Sequence, residues 1–146
     1  MKCLLLIFIL AVVEYSSVNG TIFQNCIIEV GNIDRKTECT LEKFHFDENV
    51  PHVRDIVKCV LTGLEYYNPN NRNLNQDRLL QEMKEKAGFS ENAELTRVVE
   101  DCKSHNGSEA EAYEYFMCLL NDEKTNSSFK KLLTSKDKNF FTKTVC

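Results

Sequence analysis

Six cysteines spread through a chain whose apolar residues recur at helical spacing constrain this sequence more than any other feature. They are Cys26, Cys39, Cys59, Cys102, Cys118 and Cys146. A seventh, Cys3, lies in a leader-like stretch. Lys2 supplies a charge there, Cys3 to Val13 are almost all apolar, and Val18-Asn19-Gly20 offers small residues for cleavage. Residues 1–20 therefore read as a secretory signal peptide, too short and wrongly flanked to span a membrane. Residues 21–146 read as one mature, soluble domain. An even cysteine count in a secreted chain predicts three disulfides, although six thiols admit many pairings and sequence alone does not choose among them. No Cys-x-x-Cys or Cys/His cluster suggests zinc, and His45, His52 and His105 are scattered.

The apolar spacing is helical almost throughout. Val53, Ile56, Val57, Val60, Leu61 and Leu64 recur at three and four after Pro51, a residue that suits a first helical turn. This helix is expected to stop near Tyr67, before the loop Asn68-Pro69-Asn70-Asn71. Leu79, Leu80, Met83 and Ala87 mark a second, ended by Gly88; Leu95, Val98, Val99 and Cys102 mark a third, with Gly107 beyond it. Ser108-Glu109-Ala110-Glu111 has the capping-box form and launches a helix with Ala112, Tyr115, Phe116, Leu119 and Leu120 on one broad face. Thr125 to Ser128 are expected to break it. Phe129, Leu132 and Leu133 start another helix, and Phe140, Phe141 and Val145 a last short one. At the front, Ile22, Phe23, Ile27 and Val30 suggest a short helix, with a further one over Thr40 to Phe46. No hairpin signal is visible. The expectation is an all-α, disulfide-stapled domain. Asn106-Gly-Ser108 and Asn126-Ser-Ser128 are glycosylation sequons, expected in loops.

Charge narrows the partners. The net charge of −4 argues against nucleic acid. It hides an asymmetry: after Asn126 five lysines face one acid, Asp137, a local balance of +4, whereas residues 21–126 carry −8. Such a basic end is either a solvated face or an anion site. Catalysis finds no support, because every mature cysteine has a candidate partner and no Gly-x-Ser-x-Gly, His-Glu-x-x-His or glycine-rich phosphate loop is present. His52 and Asp55, three apart on one helix, read as a surface pair. No cofactor and no metal is expected. The aromatic load favours binding: nine Phe and five Tyr, with Tyr113, Tyr115, Phe116, Phe129, Phe140 and Phe141 all near the end of the chain. Angled helices with such filler often leave an apolar cavity. The Leu119–Leu120 side is expected to be core.

The phrases "CVLTGLEYYN" (59–68), "AYEYFMCLLN" (112–121) and "FKKLL" (129–133), with a cysteine at the very end, resemble the short D-seven salivary proteins of blood-feeding flies, within the insect odorant-binding superfamily. The resemblance covers nearly all of residues 21–146. Twelve residues separate Cys26 from Cys39, 19 separate Cys39 from Cys59, and 15 separate Cys102 from Cys118. The three-residue gap between the second and third cysteines of ordinary odorant-binding proteins is missing, which favours the salivary branch. The resemblance implies a compact bundle of about seven or eight helices and the bridges Cys26–Cys59, Cys39–Cys146 and Cys102–Cys118. It also implies a monomeric, secreted, non-enzymatic protein of saliva that sequesters host mediators such as serotonin, histamine, catecholamines or eicosanoids. Such sequestration counters haemostasis and inflammation.

Carried over residue by residue, the family's amine site thins. Ile27 stands where an acid follows the first cysteine, Glu42 where the family has arginine, Phe44 and Phe116 where it has tyrosines, and Ile56 where it has histidine. Leu133-Thr134 replaces an aromatic–acid pair, while Asp137 keeps an acid. Phe44, Ile56, Phe116 and Leu133 are thus expected to wall a greasier cavity, with Glu42 and Asp137 as the remaining acids. Lys136 and Lys138 are expected to hold Asp137 at the surface, and Glu42 is expected either to point away from the site or to pair with Lys43 or Arg54. Three functions stay open: a scavenger of biogenic amines, a carrier or scavenger of a lipophilic or anionic ligand whose carboxylate meets the lysine-rich end, and an anti-haemostatic protein acting on a host protein with no small ligand.

Overall fold

The computed structural model describes residues 21–107, 110–143 and 146. The signal-peptide reading of residues 1–20 lies outside them, as do Ser108, Glu109 and Val145. Among the described residues the chain forms eight helices: α1 (Ile22–Val30), α2 (Arg35–Glu42), α3 (Val53–Gly63), α4 (Gln76–Ala87), α5 (Asn92–Asn106), α6 (Ala112–Asn121), α7 (Asn126–Lys136) and α8 (Lys138–Phe141). A two-stranded antiparallel hairpin, β1 (Tyr67–Asn68) and β2 (Asn73–Leu74), sits between α3 and α4, pairing Tyr67 with Leu74 and Asn68 with Asn73. None of the described helices is long and apolar enough to cross a membrane.

Local chemistry accounts for most boundaries. The Asp34 carboxylate accepts the Thr37 N–H at 2.7 Å and starts α2. Asn75 does the same for the Arg78 N–H at the head of α4. Gly88, at φ 70°, ends α4 in the left-handed conformation that only glycine adopts freely. Five features depart from expectation, the first being that α3 ends at Gly63, with Leu64 as its C-cap, rather than near Tyr67, which lies in β1. The second helix runs over Arg35–Glu42 rather than Thr40 to Phe46, because the Asp34 cap starts it early and Phe44, at φ 61°, cannot continue it. The hairpin was invisible because strands of two residues are too short to alternate. It is held by the Asn-rich loop, where Asn68 and Asn71 side chains accept the N–H groups of Asn70 and Asn73. The sixth helix begins at Ala112, where the Glu114 carboxylate accepts the Glu111 N–H at 3.0 Å. Finally, Asn126 to Ser128 form the first turn of α7 rather than a break.

The core grows from α3, whose Val53, Ile56, Val57, Val60 and Leu61 are all buried between α1 and α6. Burying five such side chains contributes on the order of 10 kcal/mol before chain entropy is set against it. Gly63 lets α1 approach closely, since a Cβ there would stand 2.8 Å from Ile22 Cδ1. Helix α6 packs on α3, α5 and α7, and α7 packs in turn on α4 and α8. Leu119 and Leu120 are core, as expected.

Disulfides join Cys26 to Cys59, Cys39 to Cys146 and Cys102 to Cys118, the three pairs that the resemblance implies. The first staples α1 to α3 and the third α5 to α6, helices that already pack together. The second is different, because α2 makes only slight contact with the other elements. Cys39–Cys146 ties it to the end of the chain, helped by Lys143, whose ammonium lies 3.0 Å from Glu38 and 3.6 Å from Glu42.

Candidate ligand site

A file of phenylalanines runs through the interior. Phe129 of α7 meets Phe116 of α6 edge-on, with ring centres 5.3 Å apart. Phe116 lies 4.7 Å from Phe46, and Phe46 lies 6.0 Å from Phe23 of α1. Phe23 stacks on Phe140 of α8 at 5.0 Å and meets Phe141 edge-on at 4.8 Å. Phe141 stacks on Phe44 at 4.2 Å. The inner rings are fully buried, whereas Phe44 and Phe141 are half-buried and form the outer end. Phe44 holds a left-handed backbone, a conformation that costs a bulky residue on the order of 1–3 kcal/mol and is found disproportionately at functional sites.

Asp137 stands at the centre of the outer part of this file. It caps the end of α7, donating its N–H to Leu133 O, and opens α8. One carboxylate oxygen accepts the Phe140 N–H at 3.1 Å and the other the Phe23 N–H at 2.9 Å. The carboxylate thus faces the N-termini of two helices, where partial positive charge accumulates. It is 0% exposed, contrary to the expectation that its lysine neighbours hold it at the surface. Those lysines turn away: Lys136 pairs with Glu82 on α4, and Lys138 faces an open groove. No ion pair is formed by Asp137 among the described residues. Burial pushes its pKa up from the ordinary carboxylate value, against the opposing pull of the two N–H donors and of Lys143.

Glu42 is also buried, at 6% exposure, but it is already paired. Its partners are Arg35 at 2.9 Å and Lys143 at 3.6 Å, not Lys43 or Arg54. Arg54 pairs with Glu48 and Glu114 instead. Glu42 also lies beside the sulfurs of Cys39 and Cys146, but these are bonded to each other and offer no thiolate to a metal.

Ile56, Phe116 and Leu133 are each 0% exposed and belong to one apolar cluster, against which Phe44 packs. The structure therefore brings Phe44, Phe116 and Asp137 onto the file of rings and places Ile56 and Leu133 in the same core. Phe23, Phe46, Phe140, Phe141 and Lys143 complete the surroundings and were not singled out for this site. The signal for three of them is the alternation Phe44-x-Phe46 and the doublet Phe140-Phe141. Nothing local marks Phe23. The two sequon asparagines lie at helix ends rather than in loops. Asn106 donates its side-chain amide to Cys102 O at 2.8 Å, and Asn126 donates its own to Leu120 O. His52 and Asp55 are an exposed pair 4.0 Å apart, as expected of a surface contact.

Comparison with known proteins agrees with this architecture. A family model described as the PBP/GOBP family matches residues 19–122. The chain is also similar to the short form salivary protein D7S1 of Aedes aegypti, 29% identical over 124 residues that cover 85% of this chain and 83% of that protein. With its all-helical, three-disulfide fold and a match that spans most of its length, the chain belongs to the PBP/GOBP family.

Proposed function

We propose that this protein is a secreted salivary scavenger that binds a host biogenic amine without turning it over. On this reading the amine is held against Asp137 inside the file of phenylalanines, and its removal counters haemostasis and inflammation. Residues 1–20 are the cleaved leader, the domain 21–146 acts as a monomer, and three disulfides suit an oxidising extracellular setting. Support for saliva comes from the named relative.

One observation carries the amine reading. Asp137 is a fully buried carboxylate, flanked by Phe23 and Phe140, with no ion pair among the described residues. A buried carboxylate held by two N–H donors but by no countercharge is still costly, so a ligand cation would gain both the ion pair and the faces of the rings. Phe44 and Phe141, the half-buried pair, mark the way in, and Phe116, Ile56 and Leu133 wall the far end. Glu42 takes a supporting part, holding Lys143 near the site.

Titration calorimetry of the full chain with serotonin, histamine and noradrenaline tests this. The expected result is saturable binding at micromolar protein, weakened by about 1–3 kcal/mol in Asp137→Asn through loss of a charge-assisted hydrogen bond. Absence of binding by all three amines, or an unchanged titration in the variant, would overturn the assignment.

The same residue makes a prediction about pH. Because the folded-state pKa of Asp137 lies above its unfolded value, this group opposes folding at neutral pH. The opposition fades as pH falls through the raised folded value toward the ordinary one. Glu38 and Glu82, whose pKa values are lowered, act the other way and lose their contributions on acidification. Urea unfolding of wild type and Asp137→Asn should therefore show the difference moving in favour of wild type between neutral pH and about pH 4. A difference independent of pH would mean that Asp137 is not held in the buried state described.

A further inference from the structure

The basic end of the chain is organised into a groove of about 550 Å³ between α4, α7 and α8. Lys86, Lys130, Lys131 and Lys138 line it together with Ser127 and Thr134. The remaining lining residues are one asparagine, one serine and one threonine; the wall holds no acid, no aromatic ring and no arginine, and the carbon stems of its lysines form much of its surface. Lys86, Lys131 and Lys138 form no ion pair among the described residues, while Lys130 lies 5.6 Å from the centre of the Phe44 ring. Four lysines on one groove give this end of the chain a positive field over a body that is otherwise acidic. The N-terminus of α7, at Asn126 and Ser127, adds the positive end of a helix dipole to the same wall.

The arrangement is a stripe rather than a point. Ser127, Lys131 and Thr134 recur at four and three along one face of α7, and Lys138 continues the line from the first position of α8, across the break at Asp137. At 1.5 Å per residue the part of that line on α7 is about 10 Å long, before Lys138 extends it. We propose that this groove binds a linear sulfated polysaccharide of the host's cell surfaces and matrix, holding the protein where its ligand is released. The chemistry of the wall selects this partner. Ammonium groups act as point charges that suit sulfates, and serine and threonine hydroxyls suit sugar oxygens. A membrane would need apolar side chains to insert, and a single-stranded nucleic acid would need rings for its bases to stack on. The inference does not depend on the interior site, since none of these lysines forms an ion pair with Asp137 among the described residues.

Surface plasmon resonance of the full chain over immobilised heparin tests it, using protein shown by mass to carry no glycan at Asn126. Wild type should bind at about 0.15 M salt and weaken steeply as salt rises, through release of counterions. Lys86→Gln/Lys131→Gln/Lys138→Gln should bind at least about tenfold more weakly, with a shallower dependence on salt, while its circular dichroism melt and its amine titration stay as in wild type. Desulfated heparin and neutral dextran should not bind. Failure of wild type to bind heparin would overturn the proposal, as would undiminished binding by the triple variant. So would displacement by millimolar inorganic sulfate, which would mark a site for a small anion, or equal binding to phosphatidylserine vesicles, which would mark a membrane surface.

Discussion

Removing the Cys39–Cys146 bridge, as Cys39→Ala/Cys146→Ala, should lower stability by about 4–5 kcal/mol and the melting temperature by roughly 15 °C. The two cysteines are 107 residues apart in sequence, so the bridge closes nearly the whole described chain into a loop. In the chain-entropy model the restriction of the unfolded state grows with loop length, and Cys102–Cys118, with a separation of 16, should contribute only about 3 kcal/mol. The larger loss has a structural side as well. Helix α2 joins the core chiefly through Leu41, and freeing Cys146 also loosens the Lys143 contacts to Glu38 and Glu42. Denaturant unfolding of both double variants decides the matter. If losing Cys102–Cys118 costs as much or more, loop entropy is not what this bridge supplies. Peptide mapping of the intact protein that joined Cys39 to Cys102 or Cys118 would remove the basis of the comparison.

Phe116→Ala should destabilise the protein by about 3–5 kcal/mol and abolish amine binding at temperatures where the variant remains folded. Phe116 is 0% exposed and meets two rings, Phe46 at 4.7 Å and Phe129 at 5.3 Å. Truncation forfeits the burial of the ring and both ring contacts, each worth about 0.5–1.5 kcal/mol beyond area. Phe129→Ala is the control. Phe129 is equally buried and shares the Phe116 contact, but it lies at the far end of the file, away from Asp137. Both variants should lose comparable stability, and only Phe116→Ala should lose more than about tenfold in affinity. A smaller stability loss with a large binding loss would show that the ring borders open space. Equal effects of the two variants on binding would show that Phe116 acts through the core alone.

Much of the fold is legible along the chain, and the reason is local. The stripe from Val53 to Leu61, the glycine that ends α4 and the apolar face of α6 each act within one helix, where a period of three to four residues reports the buried side directly. The boundaries that were misjudged depend on single side-chain contacts: Asp34 to the Thr37 N–H, Glu114 to the Glu111 N–H, and the asparagine bonds of the hairpin loop. The same residue types occur elsewhere in the chain without capping anything, so composition alone does not mark them.

By itself the sequence determines an all-helical domain held by three disulfides, with a basic end and a heavy aromatic load, because these follow from periodicity, parity and counting. The site was decided only by tertiary structure. Phe23 and Asp137 are 114 residues apart, yet the hydrogen bond between them buries the carboxylate. Read locally, Lys136 and Lys138 keep Asp137 in water. In the fold, the ends of α1, α7 and α8 converge, two helix N-termini supply N–H groups, and the flanking rings exclude solvent. Burial of a charge depends on which groups meet it from distant segments, and a one-dimensional pattern carries no record of that meeting.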